Sequence, residues 1–120
     1  MIKQSLVSAA AIAMAMVAVP AFAAGNVAAG ATIVTSKCVG CHGSTGAGDG
    51  PELQMLNVTN PPIPWTNKAQ MSQLNDDYLS KIINGGGGSV GKSPLMPPFK
   101  GKLSDQQISD VIAYIRSLAK

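Results

Sequence analysis

The chain is 120 residues long, 46% hydrophobic, 12% charged and only 4% aromatic, with nine Lys plus Arg against six Asp plus Glu for a net charge of +3. That length holds one compact domain rather than two, and so mild a basic excess does not mark a nucleic-acid binder. The apolar residues are unevenly spread: residues 1–23 hold 18 of them, which leaves 37 in the other 97 positions, eight of those being Ala, too few large side chains for an ordinary core.

The first segment reads as an export signal. Lys3 gives a positive start, Leu6 to Val19 a short apolar run, and Ala21-Phe22-Ala23 the small residues a signal peptidase reads. The expected cut falls before Ala24, giving a signal peptide over 1–23 and a mature domain over 24–120. A membrane anchor is the competing reading, but 14 residues fall short of the roughly 20 that span a bilayer, and no second apolar segment follows. No Cys sits at the cut, which disfavours a lipoprotein. The mature chain is expected in the periplasm, with a formal charge of +2.

A first helix is predicted over Val27 to Ser36, capped by Asn26. Directly after it stands Lys37-Cys38-Val39-Gly40-Cys41-His42, which contains both cysteines and the one histidine of the chain. C-x-x-C-H is the attachment pattern of c-type haem, in which two thiols join the porphyrin vinyl groups and the adjacent imidazole ligates iron. The spacing has a physical reason: one helical turn presents both sulfurs to one porphyrin edge and points the next side chain under the metal. A zinc site needs four ligands where Cys and His supply three. A redox dithiol needs a strand-turn-helix setting that the following Gly-rich stretch does not offer, and a plain disulfide leaves His42 without a role.

Further along, Asn60-Pro61-Pro62-Ile63-Pro64-Trp65 is expected to line the haem edge, with Trp65 either donating its N–H to a propionate or packing on haem or core. A second helix starts at Asn75-Asp76-Asp77, where a cap and negative charge suit the helix dipole, and stops at Asn84-Gly85. Gly86 to Ser93 (GGGSVGKS) satisfies the phosphate-loop pattern. That mechanism needs a strand before and a helix after, whereas here a helix precedes and Pro94, Pro97 and Pro98 follow, so nucleotide binding is rejected in favour of a flexible link leading to Met96. A third helix starts at Ser104 with Gln107 in capping-box position and Ile108, Val111, Ile112, Ile115 and Leu118 as its apolar stripe. No run alternates well enough for a strand.

Cys38-x-x-Cys41-His42, then Gly43-x-x-Gly46-x-Gly48-x-Gly50-Pro51, Met96-Pro97-Pro98-Phe99 and the closing LSDQQISDVIAYIRSL together resemble the class I monohaem cytochromes c of the small bacterial kind, over nearly the whole mature chain. The resemblance implies an all-α cytochrome c fold: three main helices and Gly/Pro-rich loops packed around one covalently attached haem c. Among the mature methionines, Met55 lies only 13 residues past His42 and Met71 sits before a predicted helix, a packing position. Met96 is stiffened by flanking prolines and stands in the Met-Pro context of the family's ligand, so His42 and Met96 are the expected axial pair. By the same resemblance the Pro51 carbonyl accepts Nδ1–H of His42, the alternative being a turn-ending Pro. The first and last helices are expected to cross with Gly30 meeting Tyr114. Val34 stands where the family has an aromatic, which implies a looser crossing.

With both axial positions filled, the expected function is outer-sphere transfer of single electrons to and from redox partner proteins, without enzymatic activity, by a monomer or transient complex with no membrane span. Lys37, Lys92, Lys100 and Lys102 form either a steering rim for acidic partners or ordinary solvated surface. Three alternatives remain open: a haem subunit docked on a dehydrogenase or oxidase, a gas-binding or peroxidatic haem with Met96 displaced, and a haem-free interaction module.

Overall fold

The computed structural model describes residues 9–16 and 24–120. Residues 1–8 and 17–23, with the expected cleavage motif Ala21-Phe22-Ala23, lie outside the described residues; Ala9 to Met16 is exposed and forms no helix or strand. Six α-helices follow: α1 (Val27–Lys37), α2 (Val39–His42), α3 (Glu52–Met55), α4 (Lys68–Met71), α5 (Asp76–Gly85) and α6 (Asp105–Ser117), with a 3-10 turn over Gly87–Val90. Among the described residues there is no strand, only an isolated bridge between Lys100 and Leu103. No helix of the described residues is long and apolar enough to cross a membrane.

The three long helices start where capping side chains stand. Asn26 Oδ1 accepts from the Ala29 N–H (2.9 Å), Asn75 Oδ1 from the Tyr78 N–H (2.8 Å), and Ser104 Oγ from the Gln107 N–H (3.1 Å). Gln107 Oε1 returns the bond to the Ser104 N–H at 2.9 Å, closing the capping box. Each such cap satisfies an otherwise orphan donor and stabilises by about 1 kcal/mol.

Helices α1 and α6 cross at close range. A Cβ on Gly30 would collide with the Asp110 carbonyl oxygen and lie 2.9 Å from Tyr114 Cβ, so a glycine is what lets the backbones meet. Val34, one turn on, stands where the resembling family has an aromatic and is itself buried at 2% exposure. From α6, Ile108, Val111, Ile112 and Ile115 enter the core, each removed from water at a gain of roughly 1.5–3 kcal/mol. Leu79 and Ile83 of α5, Met71 of α4, Trp65 and Leu103 complete it.

Two polar ties hold this arrangement. Asp110 is buried, and its Oδ1 accepts from the Asn26 N–H (2.8 Å) and from Gln106 Nε2 (3.1 Å), so α6 supplies the partner for a backbone donor at the start of α1. Arg116 reaches from the end of α6 to the approach to α5: Nη1 donates to the Met71 carbonyl (2.8 Å), Nη2 to the Leu74 carbonyl (2.5 Å), and Nε and Nη2 to Asp76 Oδ1 (3.0 and 2.7 Å).

Candidate functional site

The site begins as a continuation of α1. The Cys38 N–H donates to the Val34 carbonyl (2.9 Å), and one further turn, α2, is closed by His42 N–H to Cys38 O (3.0 Å) and Gly43 N–H to Val39 O (2.9 Å). One turn of helix therefore carries Cys38, Cys41 and His42 together, as their spacing requires. The thiols are not joined to each other. Burial pushes the Cys38 thiol up to about 11 against a smaller opposing pull from Lys37. Cys41 is raised by burial first and then by Glu52, whose Oε2 lies 3.6 Å from its sulfur. Neither is an activated thiolate at neutral pH, which argues against a nucleophilic or dithiol-exchange centre.

The stretch after His42 folds back over it. The Gly48 N–H donates to the His42 carbonyl (2.8 Å) and the Gly50 N–H to the Cys41 carbonyl (3.0 Å). Gly48 does so at φ +75°, a conformation that glycine adopts without a Cβ penalty. The Trp65 backbone N–H then donates to the Gly46 carbonyl (2.8 Å), which draws the Pro-rich segment against the loop. The outcome is a stack: the Trp65 ring lies over the His42 imidazole with centroids 4.2 Å apart and planes at 15°.

His42 is held for most of its surface away from water, and that burial lowers its pKa to about 4, so the imidazole is neutral at physiological pH. Its Nδ1 is buried and has no hydrogen-bond partner, the Pro51 carbonyl included. Pro51 stands exposed at the start of α3, immediately after the loop that grips the histidine backbone. A buried neutral imidazole with an orphaned ring nitrogen, one turn from two thiols not joined to each other, suits a haem: the thiols are free to form thioether bonds, and the neutral imidazole is the form that ligates iron. Among the described residues no three His, Cys, Asp or Glu side chains converge to hold a bare metal ion.

Of the methionines in residues 24–120, Met55 is 78% exposed on α3, and Met71 is buried in the core at the end of α4. Met96 is half-buried and packs against the same core cluster as Cys38 and Val39. The segment leading to it, expected as a flexible link, is instead a hydrogen-bonded turn: a 3-10 turn over Gly87–Val90, with the Lys92 N–H donating to the Gly87 carbonyl (2.8 Å). No helix starts directly after it, so the phosphate-loop pattern lacks the geometry that would bind phosphate. Lys37, Lys92, Lys100 and Lys102 are all exposed.

Sequence reasoning missed the Trp65–His42 stack, the Asp110 tie and the Arg116 bridge. Each joins residues far apart in the chain, and only the three-dimensional path brings them together.

Comparison with known proteins gives the site a context. The family model described as Cytochrome c matches residues 27–119. Cytochrome c-554(547) of Halothiobacillus neapolitanus is 33% identical over 95 residues, covering 79% of this chain and 99% of that protein. Cytochrome c6 of Thermosynechococcus vestitus is 29% identical over 115 residues, covering 94% of this chain and 90% of its own. Among solved structures, the KustC0563 c-type cytochrome superposes with a TM-score of 0.59 at 21% identity, covering 76% of this chain and 98% of its own, a likeness of fold.

Proposed function

Because this chain belongs to the cytochrome c family, with covalently bound haem c as its cofactor, we propose that it is an exported, diffusible carrier of single electrons and not an enzyme. The observation that carries the reading is the helical turn that holds both thiols beside a buried, neutral imidazole with an orphaned Nδ1. Cys38 and Cys41 would form the two thioether bonds, and His42 would be the first axial ligand. Met96 is the proposed second ligand, its soft thioether favouring the ferrous state and hence a high potential. Pro51, following the loop that grips the His42 backbone, would accept Nδ1–H only once haem binding has re-aimed the imidazole, since the structure shows no such bond; that bond would fix the tautomer and raise ligand basicity. Trp65, stacked on the imidazole, keeps its plane from turning.

When bound, haem supplies an iron that takes up and releases one electron reversibly. The chain's own part would be to hold the iron through His42 and Met96, leaving no open position for a substrate, and to keep the surrounding groups still between the two states. The exposed Lys37, Lys92, Lys100 and Lys102 would face redox partner proteins, with steering kept weak because propionates offset most of the mature charge of +2. Removal of residues 1–23 would release the domain 24–120 into the periplasm.

The test is a visible spectrum with redox titration of the exported protein and of Met96→Ala. The wild type is expected to show reversible one-electron reduction and a ferric far-red thioether-to-iron band. Met96→Ala is expected to lose that band while keeping its covalent haem. A band that survives the substitution removes Met96 as the ligand, and ready carbon monoxide binding by the wild-type ferrous protein at neutral pH points to a gas-binding haem instead.

A further inference from the structure

Resting on Met96 as the second axial ligand, we infer that the backbone of Gly86 and Gly87 is a clamp that sets how firmly Met96 stays on the iron, which makes Gly87 a positioning residue for electron transfer. The stretch concerned is the GGGSVGKS sequence whose phosphate-loop pattern has no phosphate-binding geometry around it. Its hydrogen bonds converge on the methionine instead.

The last carbonyls of a helix have no partner within it. At the end of α5 they are taken by the chain that follows Met96: the Phe99 N–H donates to the Ile83 carbonyl (2.9 Å) and the Lys100 N–H to the Asn84 carbonyl (3.0 Å). Just past the helix the direction reverses, and the Gly87 N–H donates to the Met96 carbonyl (3.0 Å). The N–H of Met96 donates to the Ser93 carbonyl (3.3 Å), so both backbone groups of the residue are engaged. Ser89 Oγ donates to the Gly86 carbonyl (2.7 Å) and fixes the clamp from behind.

Space tells the same story residue by residue. Gly86 has φ +77°, and a Cβ there would lie 2.7 Å from the Met96 carbonyl oxygen and 3.0 Å from Pro98 N. At Gly87 a Cβ would overlap the Ser93 carbonyl oxygen and lie 3.4 Å from Met96 Cβ. Gly88, next in the same turn, has nothing within 4 Å. Glycine is thus required at Gly86 by the Met96 carbonyl and at Gly87 by the carbonyl of Ser93, which accepts the Met96 N–H, while Gly88 has room for a side chain.

A thioether is a weak iron ligand, so its occupancy depends on how much freedom the loop gives up on closing. A loop already fixed at both backbone groups of Met96 has less to lose. Disturbing one such hydrogen bond shifts the balance between bound and released ligand by about tenfold.

The experiment compares haem-loaded Gly87→Ala, Gly88→Ala and Ser89→Ala with wild type and Met96→Ala, reading the ferric far-red band and the rate of carbon monoxide association with the ferrous protein. Gly87→Ala is expected to weaken the band and speed association by about tenfold, Ser89→Ala to do the same to a lesser degree, and Gly88→Ala to match wild type. Loss of thermal stability alone would leave both readouts at wild-type values under native conditions. If Gly87→Ala yields no haem-loaded protein, Ser89→Ala decides: faster association supports the clamp, and a wild-type rate overturns it. A full band in Gly87→Ala, or an equal effect in Gly88→Ala, also overturns it while Met96→Ala still lacks the band. A band that persists in Met96→Ala instead removes the ligand assignment, and the clamp with it.

Discussion

Cys38, Cys41 and His42 arrive on a single turn of helix, and the loop that grips their backbone is complete by Gly50, whereas Met96 arrives on a loop whose supports are borrowed from α5 and its C-terminal turn. The first arrangement is local: the proposed haem-binding residues and the residues that hold them are neighbours in sequence. The second is contingent on a helix starting at the right place and ending in the right direction. On the proposed assignment, the weak ligand on a borrowed support is expected to open first, and the strong ligand on its own support to stay.

The largest effect should come from removing the haem itself. A Cys38→Ala/Cys41→Ala chain is expected to have no cooperative unfolding transition by far-ultraviolet circular dichroism, because the described core of small helices and glycine loops lacks the apolar bulk to stand alone; a native-like cooperative haem-free form would contradict this. Next is the core common to both sides. Ile108→Ala, at 2% exposure, should cost about 2–5 kcal/mol in denaturant unfolding and leave the native spectrum unchanged, whereas a weakened far-red band would mean that the two sides are not independent of that core.

Arg116→Ala removes donors to the carbonyls of Met71 and Leu74 and to Asp76, on the approach to α5, and should cost about 1–3 kcal/mol, measured by the denaturant midpoint. The sharpest contrast uses two caps. Asn75→Ala and Asn26→Ala should each cost about 1 kcal/mol, yet only Asn75→Ala, at the start of the helix that supports Met96, should quicken carbon monoxide association; equal rates would erase the distinction drawn above. The smallest effect is on pH dependence. Burial keeps His42 neutral and the proposed iron bond would hold it so, while below about 6.5 the unfolded chain takes up a proton there. Stability is therefore expected to fall as the pH drops below that value; a denaturant midpoint that instead rises on acidification would contradict a neutral His42.

Much of this was legible because side chains announce it. Asn26, Asn75 and Ser104 cap the helices that their positions predict, Gln107 closes its box, and the apolar stripe of α6 enters the core. The cysteines and histidine name their own turn. The one-turn helices α2, α3 and α4 are too short for any periodicity to show. Asp110 and Arg116 look like ordinary surface charges on a helix, and only the crossing of α1 over α6 and the path before α5 give them partners. The Met96 support was missed for a deeper reason: it is made of backbone groups of glycines, and a backbone donor leaves no trace in residue type.

The tie between Asn26 and Asp110 also defines where the folded domain starts. Gly25 already presses on α6, since a Cβ there would collide with the Ser109 carbonyl oxygen, and the next residue gives its N–H to the Asp110 carboxylate. Trimming from the front end past that pair would uncover a buried acid. The domain is thus expected to be intolerant of trimming beyond Asn26, a boundary drawn by a carboxylate more than eighty residues away.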